Sequence, residues 1–336
     1  MALDLDTFLT ALYTIVDDLH GQHCAPHKPT RPGHRPALSD SEVLTLCLCA
    51  QWSGASERTF IRYATAHWRA YFPRLLSQSA FNRRSRDLAG VLAHLVSVVA
   101  QELKAYAAPY QVFDTVPVPL MRRCRGQRHR LFGDVAAIGR GGSDKDWHYG
   151  CKLLVAVTHQ GVITGFLLAP ASTEDHWVAE AFLCWRANPW AEPLTPQELP
   201  KPYRRNGKRY VGPTGPLWPR SGVGPASGAP YLTDDGFFGV WWGAHWRQDY
   251  GAARFTPKGL GGANAMTLRK QHASRRQVVE TINGHLEQVF GLAFPGARST
   301  WGLLTRVAAK LAALNLGLWL NRYFGRPDFA FATLFS

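Results

Sequence analysis

The sequence predicts an α/β protein in which a mixed, five-stranded sheet flanked by helices follows an all-helical N-terminal region. This prediction rests on how the periodicity changes along the chain. Apolar residues recur at three- and four-residue steps as far as residue 105, which is the helical period. Near residue 108 the pattern changes to runs rich in β-branched and aromatic residues, and helical patterns return after residue 274. Strands and helices in this order are typical of one sheet with helices on its faces.

The N-terminal region, residues 1–105, is predicted to contain short helices joined by tight turns. An apolar stripe opens the chain at Leu5, Phe8, Leu9, Leu12 and Ile15. After a proline-rich loop, Ser39 and Glu42 form the pattern of a capping box, which begins the next helix. A further helix is expected from Ser56, and a long one from about residue 77 to residue 106.

Basic residues mark the start of that last predicted helix. They are Arg83, Arg84 and Arg86. Short helices with basic residues in this position suit a helix-turn-helix that contacts a phosphate backbone. A plain helical bundle with a solvated basic face is an equally good interpretation of the same pattern.

The second domain, residues 106–325, is predicted to contain the sheet. The expected strands are residues 110–116, which Pro117 and Pro119 end, a hairpin of residues 147–158 and 162–169, and short strands at Leu232 and residues 254–256. Helices are expected over residues 174–185 and, as a pair, from about residue 274 to residue 324. Residues 187–230 are rich in proline, glycine and basic residues, so a long loop or insertion is expected there.

The charge balance favours a polyanionic partner. Lys and Arg number 38 against 24 Asp and Glu, which gives a formal net charge of +14. A membrane partner is not expected, because the longest apolar stretch, Val307 to Leu320, contains Lys310 and is too short to span a bilayer. The N-terminus lacks the basic segment of a signal peptide, and the six cysteines form no CxxC pair. We therefore expect a cytoplasmic protein that binds nucleic acid.

Three acidic residues stand out by their position. Asp114 lies inside the first predicted strand, Asp234 ends a short strand, and Glu280 lies on a helix one turn after Arg276. Such residues can converge at one edge of a sheet, and a cluster of carboxylate oxygens is what Mg²⁺ or Mn²⁺ prefers. Two such ions about 3.5–4 Å apart can activate a water or a 3′-hydroxyl and stabilise the leaving oxygen of a phosphodiester. Spacing alone makes this a weak signal, since a chain of this length offers many acid triples.

Several segments resemble the DDE transposases carried by bacterial insertion sequences. The run YQVFDTVPVP resembles their first-acid strand, DDGF their second-acid motif and RQVVE the Arg-x-x-x-Glu of the third acid. WHYGCK and the following LLVAVTHQGVITGFLLAPA are similar to their next two strands. The closing ARSTWGLLTRVAAKLAALN resembles the tail of the family numbered nine-eighty-two, and the run LSDSEVLTL is similar to transposases of the wider group. The likeness follows the order of the motifs along nearly the whole chain.

The resemblance implies an RNase H-like catalytic domain that uses two Mg²⁺ (or Mn²⁺) ions. Asp114, Asp234 and Glu280 would be the metal ligands, with Asp234 preferred to Asp235 because the family's acid stands two residues before the glycine. The implied activity is cleavage at the ends of the element and transfer of the 3′-hydroxyl into target DNA. The implied partners are the duplexes of the terminal inverted repeats and of the target, bound by a homodimer at the bacterial nucleoid.

A set of basic residues is the predicted DNA contact. It comprises Arg122, Arg123, Arg125, Arg128 and Arg130 after the first strand, with Lys152, Arg275, Arg276, Arg83 and Arg84. Many relatives carry Lys or Arg seven residues after the glutamate, where this chain has Glu287, so that contact would come from Arg306 or Lys310. Trp241, Trp242 and Trp246 could stack on bases but are read as core residues, and Asp175 with Thr173 is read as a helix cap rather than a fourth acid.

Two other functions remain compatible with the sequence. A domesticated or inactive transposase that binds DNA as a repressor would keep the basic helices without needing the three acids. A nuclease of the same fold would use the same metal ligands to cut DNA without joining it. The presence of all three acids favours an enzyme over the repressor.

Overall fold

The computed structural model describes residues 2–27, 36–126, 131–141, 146–200, 213, 215–262 and 264–334. The chain forms two compact units. The first consists of residues 1–103, 284–292 and 301–336, and the second of residues 104–283 and 293–300. The sequence had placed residues 106–325 in one domain, whereas the structure groups the C-terminal helix with the N-terminal helices.

The first unit is helical. Its helices are α1 (Leu5–His23), α2 (Asp40–Trp52), α3 (Glu57–His67), α4 (Gln78–Asp87), α5 (Ala89–Glu102) and the C-terminal α10 (Thr300–Tyr323). The capping box that begins α2 is confirmed, because Glu42 N donates to Ser39 Oγ over 3.1 Å and Ser39 N donates to the Glu42 carboxylate over 2.5 Å.

Two features of this unit differ from the sequence prediction. The single long helix expected from residue 77 is two helices, because the backbone leaves the helical region at Leu88 (φ −97°, ψ 9°). Leu88 is buried, so its side chain continues the apolar pattern through the break. α10 is long and apolar enough to cross a membrane, yet 83% of its apolar window is buried inside the protein, as in the core helix of a globular fold.

The described residues of the second unit form a mixed sheet of six strands, one more than expected. The strands are β1 (Gln111–Arg122), β2 (Ala137–Gly141), β3 (Asp146–Thr158), β4 (Ile163–Pro170), β5 (Tyr231–Leu232) and β6 (Arg254–Phe255). β2 and β4 pair with successive halves of β3, and the order across the sheet is then β3, β1, β5 and β6. β1, β3 and β4 are antiparallel neighbours, whereas β5 and β6 run parallel to β1.

Strand β1 continues through both prolines that were expected to end it. Within the described residues, β5 pairs only with Gln111 and Val112, so the rest of β1 has a free edge there on the side away from β3. Pro117 and Pro119 lie two residues apart and therefore turn their missing N–H groups toward the same side. The Pro119 carbonyl accepts from Phe294 N on that free side, 2.9 Å away. A proline costs no ladder hydrogen bond at a free edge, and β1 extends to Arg122.

Helices cover this sheet and enclose its core. They are α6 (Arg123–Gly126), α7 (Asp175–Ala187), α8 (Val240–Tyr250) and α9 (Ala265–Gln288), the last of which ends among the residues of the first unit. The buried cluster on the α7 and α8 side includes Phe113, Trp177, Phe182, Trp242 and Trp246. This confirms the interpretation of Trp242 and Trp246 as core residues; Trp241 packs partly buried against the same cluster.

Candidate catalytic site

The short strand β5 brings two of the predicted acids side by side. Val112 of β1 pairs in parallel with Leu232 of β5. Asp114 and Asp234 each follow two residues later, so they occupy equivalent positions just beyond the end of the ladder. Neighbouring strands lie about 4.8 Å apart, which makes these carboxylates close neighbours. The space beside β1, at the point where β5 ends, is called the notch below.

Helix α9 contributes a cation to the notch and carries the third predicted acid one turn further along. Arg276 Nη2 donates to Asp114 Oδ2 over 3.2 Å. Glu280 follows on the same face of α9 one turn later, about 6 Å along the helix axis. Its side chain is exposed and makes no hydrogen bond or ion pair with the residues that the structure describes. Asp114 and Asp234 are thus adjacent, whereas Glu280 is not in contact with either of them within the described residues.

Asp175 is a fourth acid at the notch, which the sequence interpretation had treated as a helix cap. A Cβ added to Gly236 would lie 3.1 Å from Asp234 Oδ1 and 3.2 Å from Asp175 Oδ2, so both carboxylates border that point. Lys152 Nζ donates to Asp175 Oδ1 over 2.6 Å, and Thr115 Oγ1 approaches the same oxygen at 3.2 Å. The carboxylate therefore points toward β1 and β3 rather than back onto its own helix.

The cap interpretation of this helix start is wrong for a physical reason. α7 begins at Asp175 itself, with Glu174 in the capping position and no side-chain cap hydrogen bond. Thr173 contributes its carbonyl to Lys152 Nζ at 2.9 Å. The only sequence signal for Asp175 was its position just after a strand of the sheet, which also suits a cap.

Burial and mutual repulsion act on these carboxylates. Burial, followed by the charge of Asp234, raises the pKa of Asp114 to about 7, against the opposing effect of Arg276. Burial also raises the pKa of Asp234, and the charge of Asp175 adds to that increase while Arg276 opposes it. Like charges held together in a poorly solvated place are costly unless positive charge is added. The two cations already present do not fully compensate the carboxylates.

The donor set fits a divalent cation of the hard type. Asp114, Asp175 and Asp234 supply only carboxylate oxygens, the ligands that Mg²⁺ and Mn²⁺ prefer, and their unbalanced charge favours a cation. Within the described part of the chain, no three His, Cys, Asp or Glu side chains stand close enough to enclose a metal ion directly. The side chains of Arg276 and Lys152 lie against two of the carboxylates instead. Both cations have flexible stems that can turn away as a metal ion binds.

The described arginines at the end of β1 lie far along the strand from the acids. Arg122 is eight residues beyond Asp114 on the same strand, about 26 Å at ~3.3 Å per residue. Arg123 and Arg125 follow on α6 and are exposed, and the Arg123 guanidinium lies 5.0 Å from the centre of the exposed Trp147 ring. We call Arg122, Arg123, Arg125 and Trp147 the hairpin tip. Arg128 and Arg130 lie outside the described residues.

Several other predicted DNA contacts have partners within the protein. Lys152 and Arg276 bind carboxylates of the notch, so they are counterions and not free phosphate contacts. Arg84 donates to the buried carboxylate of Asp40 over 2.6 Å, which makes it structural. Arg83 and Arg275, in contrast, are exposed.

The two residues expected to replace the missing basic contact are also engaged. Lys310 donates to the carbonyl of Phe290, and burial lowers its pKa to about 8. Arg306 Nη2 donates to Glu57 Oε2 over 2.9 Å. Neither side chain is a free DNA contact in this structure. Glu287, the residue that departs from the family pattern, is exposed on α9.

Comparisons of this chain with models of known protein families, with curated proteins and with solved structures find no match. The function is therefore argued from the geometry and charge of the notch together with the motifs of the sequence.

Proposed function

We propose that this protein is a metal-dependent DNA transposase. The observation that carries the proposal is the register of β5 on β1, which brings Asp114 and Asp234 together beyond the last paired residues. Both acids belong to the motifs that resemble those of DDE transposases. Charge that is left unbalanced in a recess is typical of a functional site, because a purely structural carboxylate is normally compensated.

Asp114 and Asp234 would hold Mg²⁺ or Mn²⁺, and Glu280 would complete the site from the next turn of α9. Two bound ions would supply an activated water or 3′-hydroxyl and would stabilise the leaving oxygen of the phosphodiester. Arg276 and Lys152 neutralise the carboxylates before metal and DNA bind, and can then pair with phosphate oxygens.

The finer description of the fold is part of this proposal. Strands β4, β3, β1, β5 and β6 form an antiparallel meander extended by two parallel strands, with the first acid on the central strand and the second at the end of its neighbour. This arrangement supports an RNase H-like catalytic domain, to which β2 is an addition. The exposed basic residues of α3 and α4, which include Arg58, Arg62 and Arg83, support a role of the N-terminal helices in DNA binding.

Duplex DNA is the partner that the charge favours. The net charge is +14, and the hairpin tip combines guanidinium groups with an exposed aromatic ring. Arginines in this setting neutralise phosphates, so binding should weaken steeply as salt rises. Because two ends of an element are processed together, we propose a homodimer on DNA.

The test compares two adjacent carboxylates. Purified protein is incubated with Mg²⁺, a supercoiled plasmid and labelled duplexes taken from the DNA that flanks its own gene. Asp234→Asn is compared with Asp235→Asn, since asparagine keeps the oxygen that accepts from Gly236 N over 3.0 Å. We expect wild type and Asp235→Asn to cut and join the label, and Asp234→Asn to lose at least a hundredfold in both steps.

Each other outcome contradicts the proposal in a recognisable way. Cutting without joining in wild type identifies a nuclease. Binding of the flanking duplexes with no cutting identifies a DNA-binding protein without catalysis. Equal activity of the two variants would mean that Asp234 holds no metal ion.

A further inference from the structure

A second recess lies on the same side of the sheet as α9. Its volume is about 500 Å³, within the range of pockets that enclose small molecules. Its lining includes the ring of Tyr110, the side chains of Phe255 and Leu268, and the polar residues His272 and Arg275. We call this recess the Tyr110 pocket.

The pocket adjoins the notch. Tyr110 precedes Asp114 by four residues of extended chain, about 13 Å. Successive residues of α9 contact the pocket and the notch. The Arg275 guanidinium lies 5.6 Å from the centre of the Tyr110 ring in the pocket, and Arg276 binds the Asp114 carboxylate in the notch. A ligand group in the pocket is therefore within one or two nucleotides' reach of a phosphate in the notch.

The lining is mainly apolar, with a cationic residue at its rim and a buried polar group. Phe255 and Leu268 expose 41% and 40% of their surface, so both present apolar surface at the pocket. His272 is 5% exposed, and within the described chain its Nδ1 has no hydrogen-bond partner. Arg275 is exposed at the rim. A nucleobase matches this set, since it has a flat face to stack, polar edges and an attached phosphate.

We propose that the Tyr110 pocket binds one nucleobase turned out of the DNA stack next to the phosphate that is cut. This inference rests on the proposed function and adds a substrate subsite to it. Turning a base out costs a few kcal/mol in a paired duplex, and stacking in the pocket offsets that cost. The benefit is positional: an anchored base holds its own strand in register with the carboxylates of the notch.

The experiment combines protein variants with altered DNA duplexes and measures the binding affinity of each combination. Flanking duplexes carry a single abasic site, moved in turn through the positions on either side of the cut, and binding is measured in Ca²⁺ to prevent turnover. Phe255→Ala removes an exposed ring, Tyr110→Leu keeps bulk without an aromatic face, and Met266→Ala is the matched control. Met266 is 71% exposed on α9, the helix that lines one side of the pocket, and lies outside the pocket lining.

We expect Phe255→Ala and Tyr110→Leu each to weaken binding of the intact duplex about tenfold. With the abasic site at one particular position, the variants and wild type should bind equally, because the base they would stack on is absent. Met266→Ala should match wild type on every duplex. A purely structural role of the rings would weaken binding to all duplexes by the same factor.

Two results would overturn the proposal. One is equal loss on intact and abasic duplexes at every position. The other is unchanged affinity with an altered oligomeric state in light scattering, which would make the pocket an interface between copies of this chain. Failure of the proposed function is separate from both, since it is seen as the absence of cutting by wild type in Mg²⁺.

Discussion

The second unit holds one buried carboxylate, Glu180, and one group of carboxylates, those of the notch, in opposite electrostatic conditions. Glu180 on α7 is fully buried and accepts four hydrogen bonds. The donors are Trp246 Nε1 at 2.8 Å, His245 Nε2 at 3.0 Å, Tyr250 Oη at 2.5 Å and Leu194 N at 3.1 Å. Burial alone raises the pKa of Glu180, but the hydrogen bonds from His245, Tyr250 and Leu194 outweigh it and leave the pKa below its ordinary value.

The notch is the reverse case. Its carboxylates share the cations Arg276 and Lys152. Burial together with neighbouring charge raises the pKa of both Asp114 and Asp234. The comparison teaches that burial of an acid does not by itself indicate function. A satisfied carboxylate ties helices together, whereas an under-compensated one needs a further cation, and only the second kind marks a site.

The largest expected effect is the loss of Glu180. Glu180→Ala leaves the Trp246, Tyr250 and Leu194 donors buried without an acceptor, so the free energy of unfolding should fall by about 3–5 kcal/mol. The measurement is urea unfolding followed by circular dichroism. Glu192→Ala is the control, because Glu192 is 78% exposed in its ion pair with Arg220, and it should cost no more than about 0.5 kcal/mol.

Glu180 also predicts a pH dependence. Since its folded pKa is lowered, its stabilisation is present above the ordinary pKa of a glutamate and is lost as pH falls through the folded value. The difference in the free energy of unfolding between wild type and Glu180→Ala should therefore shrink in acid. A gap that stays constant down to the acid transition would contradict the hydrogen-bonded, ionised state.

The second effect is stabilisation of the notch by metal. At a Mg²⁺ concentration of about 100 times the dissociation constant, the folded state should gain about 2.7 kcal/mol. Thermal unfolding with and without Mg²⁺ measures this gain. Asp234→Asn should lose most of it, whereas Asp235→Asn should keep it. An equal gain in both variants would place the metal ion elsewhere.

A smaller effect of opposite sign is expected for Asp114→Asn without metal. The folded pKa of Asp114 is raised from 3.8 to about 7, so wild type loses stability as pH rises between those values. The variant carries no charge there and should be more stable than wild type at pH 8, while it loses DNA cleavage. The advantage should disappear near pH 4. A variant less stable than wild type at pH 8 would show that the Arg276 contact compensates Asp114 fully.

The smallest expected effects concern Arg83 and Arg84, two adjacent arginines of the first unit that differ in the same way as the two kinds of carboxylate: one is paired and the other is exposed. Arg84→Ala leaves the buried Asp40 carboxylate without its 2.6 Å partner and should cost about 1–2 kcal/mol of stability. Arg83 is exposed, so Arg83→Ala should leave stability within about 0.5 kcal/mol of wild type and lower the salt slope of DNA binding by about one. Unfolding and salt-titrated binding assays on both variants separate the two roles.

Local patterns explain what could be predicted from the sequence. The capping box at Ser39, the hairpin of β3 and β4 and the start of α7 depend on neighbouring residues, and the structure has them within a few residues of the predicted bounds. The acids Asp114 and Asp234 could be named because each lies in a strand context. That they are adjacent depends on the register of β5, a long-range property that no spacing reveals.

Tertiary context decides the remaining features. The prolines of β1 ended the strand in the sequence prediction because a free edge cannot be seen in a sequence. The distance of Arg122 from Asp114 follows from that extended strand, and the pairing of Arg84 and Lys152 depends on partners more than 20 residues away. Glu180 gave no signal at all, since a single glutamate in a helix is normally exposed.

The most direct test of the notch as a metal site is localised cleavage of the chain. Fe²⁺ replaces Mg²⁺, and ascorbate with peroxide then generates radicals that cut the backbone next to the bound ion. The account predicts fragments that end near residues 114, 175 and 234, with a cut near 280 if Glu280 joins the site, and their loss in Asp234→Asn. Fragments that end elsewhere, or a pattern unchanged by Asp234→Asn, would contradict it.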